Sequence, residues 1–258
     1  VKNTTAVKAP QWMRKRLALV GLNSINALVD ITNFVLMELG QPMHAFDLAD
    51  LEGKRIEVRR AKQGEKIVTL DEKEFKLNET NLVICDARKP VALAGIMGGL
   101  NSEIKPTTHD VVFESAKFAR DSVRKTSRSL GQSSDSSAKF CKGVDEYTTG
   151  CAIGRALHLV QEIGCGTVSA THFDIMTHGE PKPTVVTTTF DKINKVLGIE
   201  VPNDEIADIL RRLRFTVTVD GGNITASAPL YREDVEGYAD LAEEVIRIYG
   251  YDHIKPQL

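Results

Sequence analysis

Apolar positions recur at helical spacing in some stretches and alternate or cluster as strands in others, so changes of period mark the elements. Across residues 10–22, Trp12, Leu17, Leu19 and Val20 lie among basic residues, which predicts a helix. A second helix is expected to begin after Asn23 or Ser24, both suitable N-caps, and to run to Leu39, where Gly40 ends it. Strand patterns follow. Residues 56–58 alternate, and 67–70 and 75–77 flank the polar turn Asp71-Glu72-Lys73 as a hairpin. Residues 82–85 and 91–94 are short apolar runs suited to buried strands, and 110–118 predicts another strand. Helical spacing returns over 120–130 and again over 147–163, where Ala152, Ala156, Val160 and Ile163 share a face. Residues 167–175 read as a closing strand, and the serine-rich run 133–137 as a mobile or ligand-contacting loop.

Residues 177–183, with two prolines and a glycine, have linker chemistry and place a domain boundary there. Two domains are expected, 1–176 and 184–258. In the second, a strand over 185–190 precedes a helix capped by Asp191 and stopped by Gly198. Pro202-Asn203 introduces a helix over 204–214. Strands over 215–219 and 224–228 flank Asp220-Gly221-Gly222, a hairpin signal, and a last helix over 238–249 is closed by Gly250. The fold class is therefore α+β, a β-rich module with flanking helices followed by a small α+β module.

Composition narrows the function classes. With 42% hydrophobic and 26% charged residues the chain is an ordinary globular one, and it has no apolar run of membrane-spanning length. No apolar signal core opens it, so a cytoplasmic protein without a membrane partner is expected. The net charge of −2 argues against a surface that is basic throughout, but it is a sum of unlike parts. Residues 179–258 hold 9 Lys/Arg and 14 Asp/Glu, a balance of −5, and residues 1–178 hold 24 and 21, a balance of +3. Cys85, Cys141, Cys151 and Cys165 are widely spaced, and with six scattered histidines they form neither a zinc pattern nor a disulfide framework.

Several constellations could carry chemistry. Thr32 and Asn33 lie inside an apolar helix and need partners if buried, while Gln41-Pro42 presents His44 beyond that helix. A lone histidine of this kind is more often structural than catalytic. Glu114 shares a strand face with Val112 and Ala116, where a carboxylate must be bonded, protonated or awaiting a polar ligand; the strand leaves these alternatives open. Gly95-Ile96-Met97-Gly98-Gly99 fits neither a P-loop nor a dinucleotide fingerprint and implies a close approach of bare backbone. No G-x-S-x-G elbow accompanies the serines. Asp240, Glu243 and Glu244 share one helix face, with Asp234 upstream; such carboxylates either form a solvated face or hold a hard cation such as Mg²⁺.

Together, Val29-Asp30-Ile31-Thr32-Asn33, the run from Glu38 to Asp47 (ELGQPMHAFD), Lys142-Gly143-Val144-Asp145 and the run from Glu243 to Tyr251 (EEVIRIYGY) resemble the bacterial phenylalanyl-tRNA synthetase β subunit family. The resemblance runs through almost the whole chain and covers only the middle of that subunit. It implies an editing module over 1–176, hydrolysing tyrosine wrongly esterified to tRNA(Phe), and a winged-helix-like module over 184–258. It further implies that Glu114 recognises the phenol, that His44, Thr32 and Asn33 form the polar side, that Gly98 is a backbone wall, and that Ser134 and Ser136 lie on a closing loop. Asp234, Asp240, Glu243 and Glu244 match the family's magnesium ligands. Implied partners are the tRNA acceptor end and the α subunit of an α2β2 heterotetramer. Aminoacylation and its ATP then belong elsewhere in the enzyme. Two departures stand out: residues 136–143 differ from the usual Ala-Ser-x-Arg-Phe-Glu-Arg-Gly, and Asn23-Ser24 replaces a common Arg-Pro. A non-catalytic, tRNA-supporting module is the alternative. Duplex DNA binding by the acidic module is not expected, since such binding depends on neutralising phosphates.

Overall fold

The computed structural model describes residues 1–5, 7–176 and 179–254. Its contacts divide the chain into two units, Val1–Ile175 and Met176–Leu258. Thr177 and His178, the start of the expected linker, lie outside the described residues. Both units combine helices with antiparallel sheets, an α+β architecture. No described helix is long and apolar enough to cross a membrane.

The first unit opens with α1 (Gln11–Leu19) and α2 (Ala27–Leu39). The N-cap of α2 is Asn26, whose side chain accepts from Val29 N at 3.0 Å, rather than the expected Asn23 or Ser24. Ser24 is engaged otherwise. Its hydroxyl donates to Asp30 at 2.5 Å, and Ile25 N donates to the same carboxylate at 2.8 Å, pinning the incoming loop to the buried start of the helix. Gly40 ends α2 with φ 76°, a left-handed conformation that glycine adopts without a steric cost.

The strands come next: β1 (Met43–Asp47), β2 (Glu57–Arg60), β3 (Lys66–Val68), β4 (Glu74–Lys76), β5 (Leu82–Cys85), β6 (Pro90–Leu93), β7 (Met97–Gly98) and β8 (Val111–Ser115). They make a four-stranded antiparallel sheet in the order β2-β5-β6-β7, the hairpin β3-β4, and a two-stranded ribbon β1-β8. Three helices complete the unit: α3 (Arg120–Leu130), α4 (Asp135–Lys142) and α5 (Tyr147–Ile163).

The ribbon lies between two hydrophobic cores, and its period-two alternation serves both. Phe46 faces the core built from the four-stranded sheet and hairpin with α3 and α4, including Ile67, Ile84, Leu93 and Phe140. Ala45 and Val111 face the other core, packed with Leu28, Ile31, Val35 and Leu159 from α2 and α5.

Two further expectations fail in this unit. Residues 133–137 are not a loop. Ser134 caps α4, accepting from Ser137 N at 3.1 Å, while the Ser137 hydroxyl accepts from Ser134 N at 2.8 Å, so the serine run is a helix start. Residues 167–175 form no strand beyond one bridge, Lys2 to Thr167. Alternation alone makes no strand without a ladder to join, and Phe173 and Ile175 stand 90% and 85% exposed.

The second unit runs β9 (Val185–Thr189), α6 (Phe190–Leu197), α7 (Asn203–Arg212), β10 (Thr216–Asp220), β11 (Asn223–Ser227) and α8 (Tyr238–Tyr249). The sheet order is β10-β11-β9, all antiparallel, with the helices packed on it through Phe190, Ile193, Ile206, Leu210 and Leu241. Thr189, not Asp191, caps α6; its hydroxyl accepts from Lys192 N at 3.1 Å.

Candidate functional site

His44 and Glu114 are directly paired positions of the β1–β8 ribbon. Antiparallel partners project their side chains to the same face, so both point towards the sheet side of the ribbon, into a small open cleft. Ile84, Leu93 and Met97 of the sheet, Ile96 of the β6–β7 turn and Phe140 of α4 supply apolar wall, with Gly98 and Ser136 also in the lining.

Gly98 is glycine because the imidazole occupies the space a side chain would need. A Cβ there would lie 2.6 Å from His44 Nε2, overlapping the ring. The ring also stands edge-on to Phe46, centroids 4.5 Å apart. Within this seat Nε2 is buried without a hydrogen-bond partner. Burial drives the histidine down to about 4, so near neutrality it is an uncharged imidazole. Burial pushes the Glu114 carboxyl up to about 7, with no bonding group to offset the desolvation. An uncharged ring and a carboxyl poised near neutrality therefore share an apolar cleft, each with unspent hydrogen-bonding capacity.

The cleft wall is braced from behind. Ser134 donates to Ile96 O at 2.5 Å, tying the start of α4 to the strand β7 approach. Gln132, fully enclosed between elements, donates to Asp71 at 3.0 Å and to Met97 Sδ at 3.3 Å. Asp71 also accepts from Thr69 at 2.5 Å and pairs with Lys73 at 2.8 Å, and these donors, Lys73 foremost, hold its carboxyl well below the usual range. The β3–β4 turn, the α3–α4 connection and the cleft wall are thus one network.

Of the expected site residues, the structure brings together His44, Gly98, Glu114 and Ser136. Thr32 and Asn33 do not line the cleft. The Thr32 hydroxyl donates back to Val29 O at 2.8 Å, a bond within α2 that satisfies it locally. Ser134 is behind the wall as a helix cap, not over the cleft. Met97 lies in the Gly95–Gly99 run expected to bring backbone into close approach, whereas Phe140 has the sequence pattern of any core position and carries no signal as a site residue.

The proposed magnesium ligands do not fit a cation. Arg232 lies between Asp234 and Glu244, donating to Asp234 at 2.7 and 2.8 Å and to Glu244 at 2.9 and 3.1 Å. Arg247 reaches Glu244 at 2.6 Å. Arg232 holds both carboxyls below their ordinary range, with Arg247 adding to the effect on Glu244. Asp240 caps α8, accepting from Gly237 N at 2.8 Å and Glu236 N at 2.9 Å, and Glu243 faces solvent. Among the described residues no group of three or more His, Cys, Asp or Glu could hold a metal ion. A guanidinium fills the charge-balancing role that the sequence pattern suggested for Mg²⁺.

A family model described as the B3/4 domain matches residues 1–165, and one described as the tRNA synthetase B5 domain matches residues 186–251. Among curated relatives, the phenylalanine–tRNA ligase beta subunit of Syntrophus aciditrophicus is 46% identical across 100% of this chain and 32% of its own length. Those of Geobacillus kaustophilus and Clostridium acetobutylicum are 43% and 40% identical, over 100% and 98% of this chain and 32% of theirs. The chain thus spans about a third of the curated relatives it matches. A solved N-terminal fragment of the phenylalanyl-tRNA synthetase beta subunit from Pyrococcus horikoshii aligns over 87% of this chain and 65% of its own, at 16% identity and a TM-score of 0.43. With the matched residues spanning the whole cleft, the chain belongs to the B3/4 domain family, and a B5 domain follows in its second unit.

Proposed function

We propose that the first unit is an editing hydrolase that removes tyrosine from mischarged tRNA(Phe), within a phenylalanine–tRNA ligase β subunit whose α partner carries the aminoacylation. The observation that carries this reading is the Glu114 carboxyl, unbonded and facing an apolar cleft opposite His44. A tyrosine ring fits apolar walls, and its phenol can donate to the carboxylate. Phenylalanine would leave that buried acceptor unpaired. A site that hydrogen-bonds a substrate hydroxyl rejects the analogue lacking it by roughly 10⁴–10⁵-fold, far more than a hydrophobic pocket rejects an added hydroxyl.

The reaction is hydrolysis of the aminoacyl ester: water adds to the carbonyl carbon, the bond to the ribose oxygen breaks, and that oxygen takes a proton to leave as a free hydroxyl. His44 is uncharged near neutrality and lines the cleft, and with Nε2 covered by Gly98 it serves to position the ester beside Glu114 rather than to take a proton. No step requires a covalent nucleophile or a metal held by the second unit.

Deacylation of Tyr-tRNA(Phe) and Phe-tRNA(Phe) by wild type and Glu114→Ala tests this. Wild type is expected to hydrolyse the tyrosyl ester preferentially, and the variant to lose about 10²-fold or more in kcat/KM on it. Equal hydrolysis by both proteins removes the phenol-recognition role.

A further inference from the structure

Beside the cleft lies a cationic surface that the proposed hydrolysis does not use. On α3, Arg120, Arg124 and Arg128 recur every four residues, which places them on one helix face about 6 Å apart, with Lys125 alongside. On α4, Lys139 and Lys142 are one turn apart. All six are exposed, and among the described residues none has an ion-pair or side-chain hydrogen-bond partner. Arg120 lies over Gly143 at the end of α4, a Cβ there being 3.7 Å from its guanidinium carbon, so the two helices present their cations as one patch. Residues 117–142 contain seven Lys/Arg against Asp121 and Asp135 alone. The contrast within the same unit is clear: Arg155 on α5 is chelated by Glu38 at 2.7 and 3.0 Å.

Like charges at four-residue spacing weaken a helix unless an anion lies across them. Here the opposite face of α3 buries Ser122, Val123 and Thr126, which fixes the arginine stripe outward. The patch neighbours the cleft, since α3 packs on α4 and α4 carries Lys139 and Lys142 as well as Ser136 and Phe140 of the cleft lining. A row of unpaired guanidinium groups is suited to a row of phosphates, which Arg engages through its planar fork of donors.

We propose that the outer face of α3 and α4 is a docking surface for the phosphodiester backbone of RNA, aligning an aminoacylated 3′ end with the cleft. The inference rests on the editing reading for its substrate, but its test is separable from it. The partner is an RNA strand; a protein acid cluster would not reproduce the regular phosphate spacing along the stripe.

The test measures binding first. A fluorescein-labelled RNA minihelix with a single-stranded CCA end is titrated with the 258-residue chain at several salt concentrations. One variant carries Arg124→Ala, Lys125→Ala and Arg128→Ala; a second carries Lys139→Ala and Lys142→Ala; a third keeps charge with Arg124→Lys and Arg128→Lys. The first two are expected to bind about tenfold or more weakly, and the first to lose about 2 from the slope of log K on log salt, for three single-strand phosphates. The charge-conserving variant is expected to retain most of the affinity and the wild-type Tm, and the two neutralised variants to melt no lower than wild type. Equal binding by wild type and the neutralised variants, or no binding by wild type, overturns the docking surface. Deacylation then addresses the other reading. With Tyr-tRNA(Phe), KM should rise in the first variant while kcat stays, and hydrolysis of tyrosine ethyl ester, which has no phosphates, should be unchanged. RNA binding that depends on these cations without any tyrosyl-ester hydrolysis by wild type would keep the surface and refute the editing chemistry.

Discussion

His44 and Glu114 face each other directly across the β1–β8 ribbon, with neither side chain hydrogen-bonded to the other. Burial shifts them in opposite directions, the imidazole down to about 4 and the carboxyl up to about 7, so near neutrality the imidazole is uncharged and the carboxyl is partly ionised.

The opposed shifts set the dependence of stability on pH. A carboxyl raised from 4.5 to about 7 contributes stability below pH 4.5 that is lost as pH rises through about 7. An imidazole lowered from 6.5 to about 4 contributes stability above pH 6.5 that is lost as pH falls through about 4. Between 4.5 and 6.5 the two slopes oppose each other and largely cancel. Glu114→Gln removes one of them. Denaturant titrations should show the variant gaining on wild type as pH rises, ending on the order of 1–3 kcal/mol more stable above neutrality. A difference that is constant with pH would mean the carboxyl is not desolvated.

Gly98→Ala places a methyl group in the imidazole's seat. The ring must rotate away from Phe46 or the strand must shift, at a cost of about 1–3 kcal/mol for overpacking. Deacylation should fall with little change in tRNA affinity, and the imidazole proton resonances should move. An unaltered His44 NMR spectrum would contradict the packing described.

Ser134→Ala removes both a helix cap and the tie to Ile96. The cap alone contributes about 1 kcal/mol. Amide exchange should accelerate in the first turn of α4 and around Ile96 together; acceleration confined to α4 would show that the tie does not brace the cleft wall.

In the second unit, Arg232→Met leaves Glu244 buried with Arg247 as its remaining partner. Thermal unfolding should register a loss of about 2–4 kcal/mol. Mg²⁺ at millimolar levels should leave the wild-type Tm of this unit where Ca²⁺ or added NaCl of equal ionic strength leaves it. A Mg²⁺-specific rise abolished by Asp240→Asn would restore the cation site.

Much of the fold could be read from local pattern. The helix over Tyr147–Ile163 and the last helix, Tyr238–Tyr249, have the expected bounds because apolar spacing and a following glycine act within a few residues. Polar caps were harder to place. Ser24 and Asp191 have the right chemistry, yet a bond to Asp30 within the helix or a competing threonine at 189 decides which residue caps, and several nearby polar residues meet the same local criterion. Of the site, Glu114 showed itself as a carboxylate on an apolar face. Its partner His44 lies seventy positions earlier, and only strand pairing reveals that the two face one another. The acidic cluster misled for a related reason: Arg232 stands beside those carboxylates in sequence, but its bridging geometry depends on how the loop returns to α8.

The placement of the ribbon between two cores makes the site's alignment self-enforcing. Because side chains alternate faces, a slip of β1 by one residue would turn His44 towards the helical core and bring Met43 and Ala45 round to the cleft. A slip of β8 would do the same with Glu114. Either error strands a polar group among Leu28, Ile31 and Leu159 and withdraws Phe46 or Val111 from its contacts. A misregistered site is therefore also a misfolded domain, so quality control of the fold doubles as quality control of the pair, and no population of well-folded but misaligned molecules has to be tolerated.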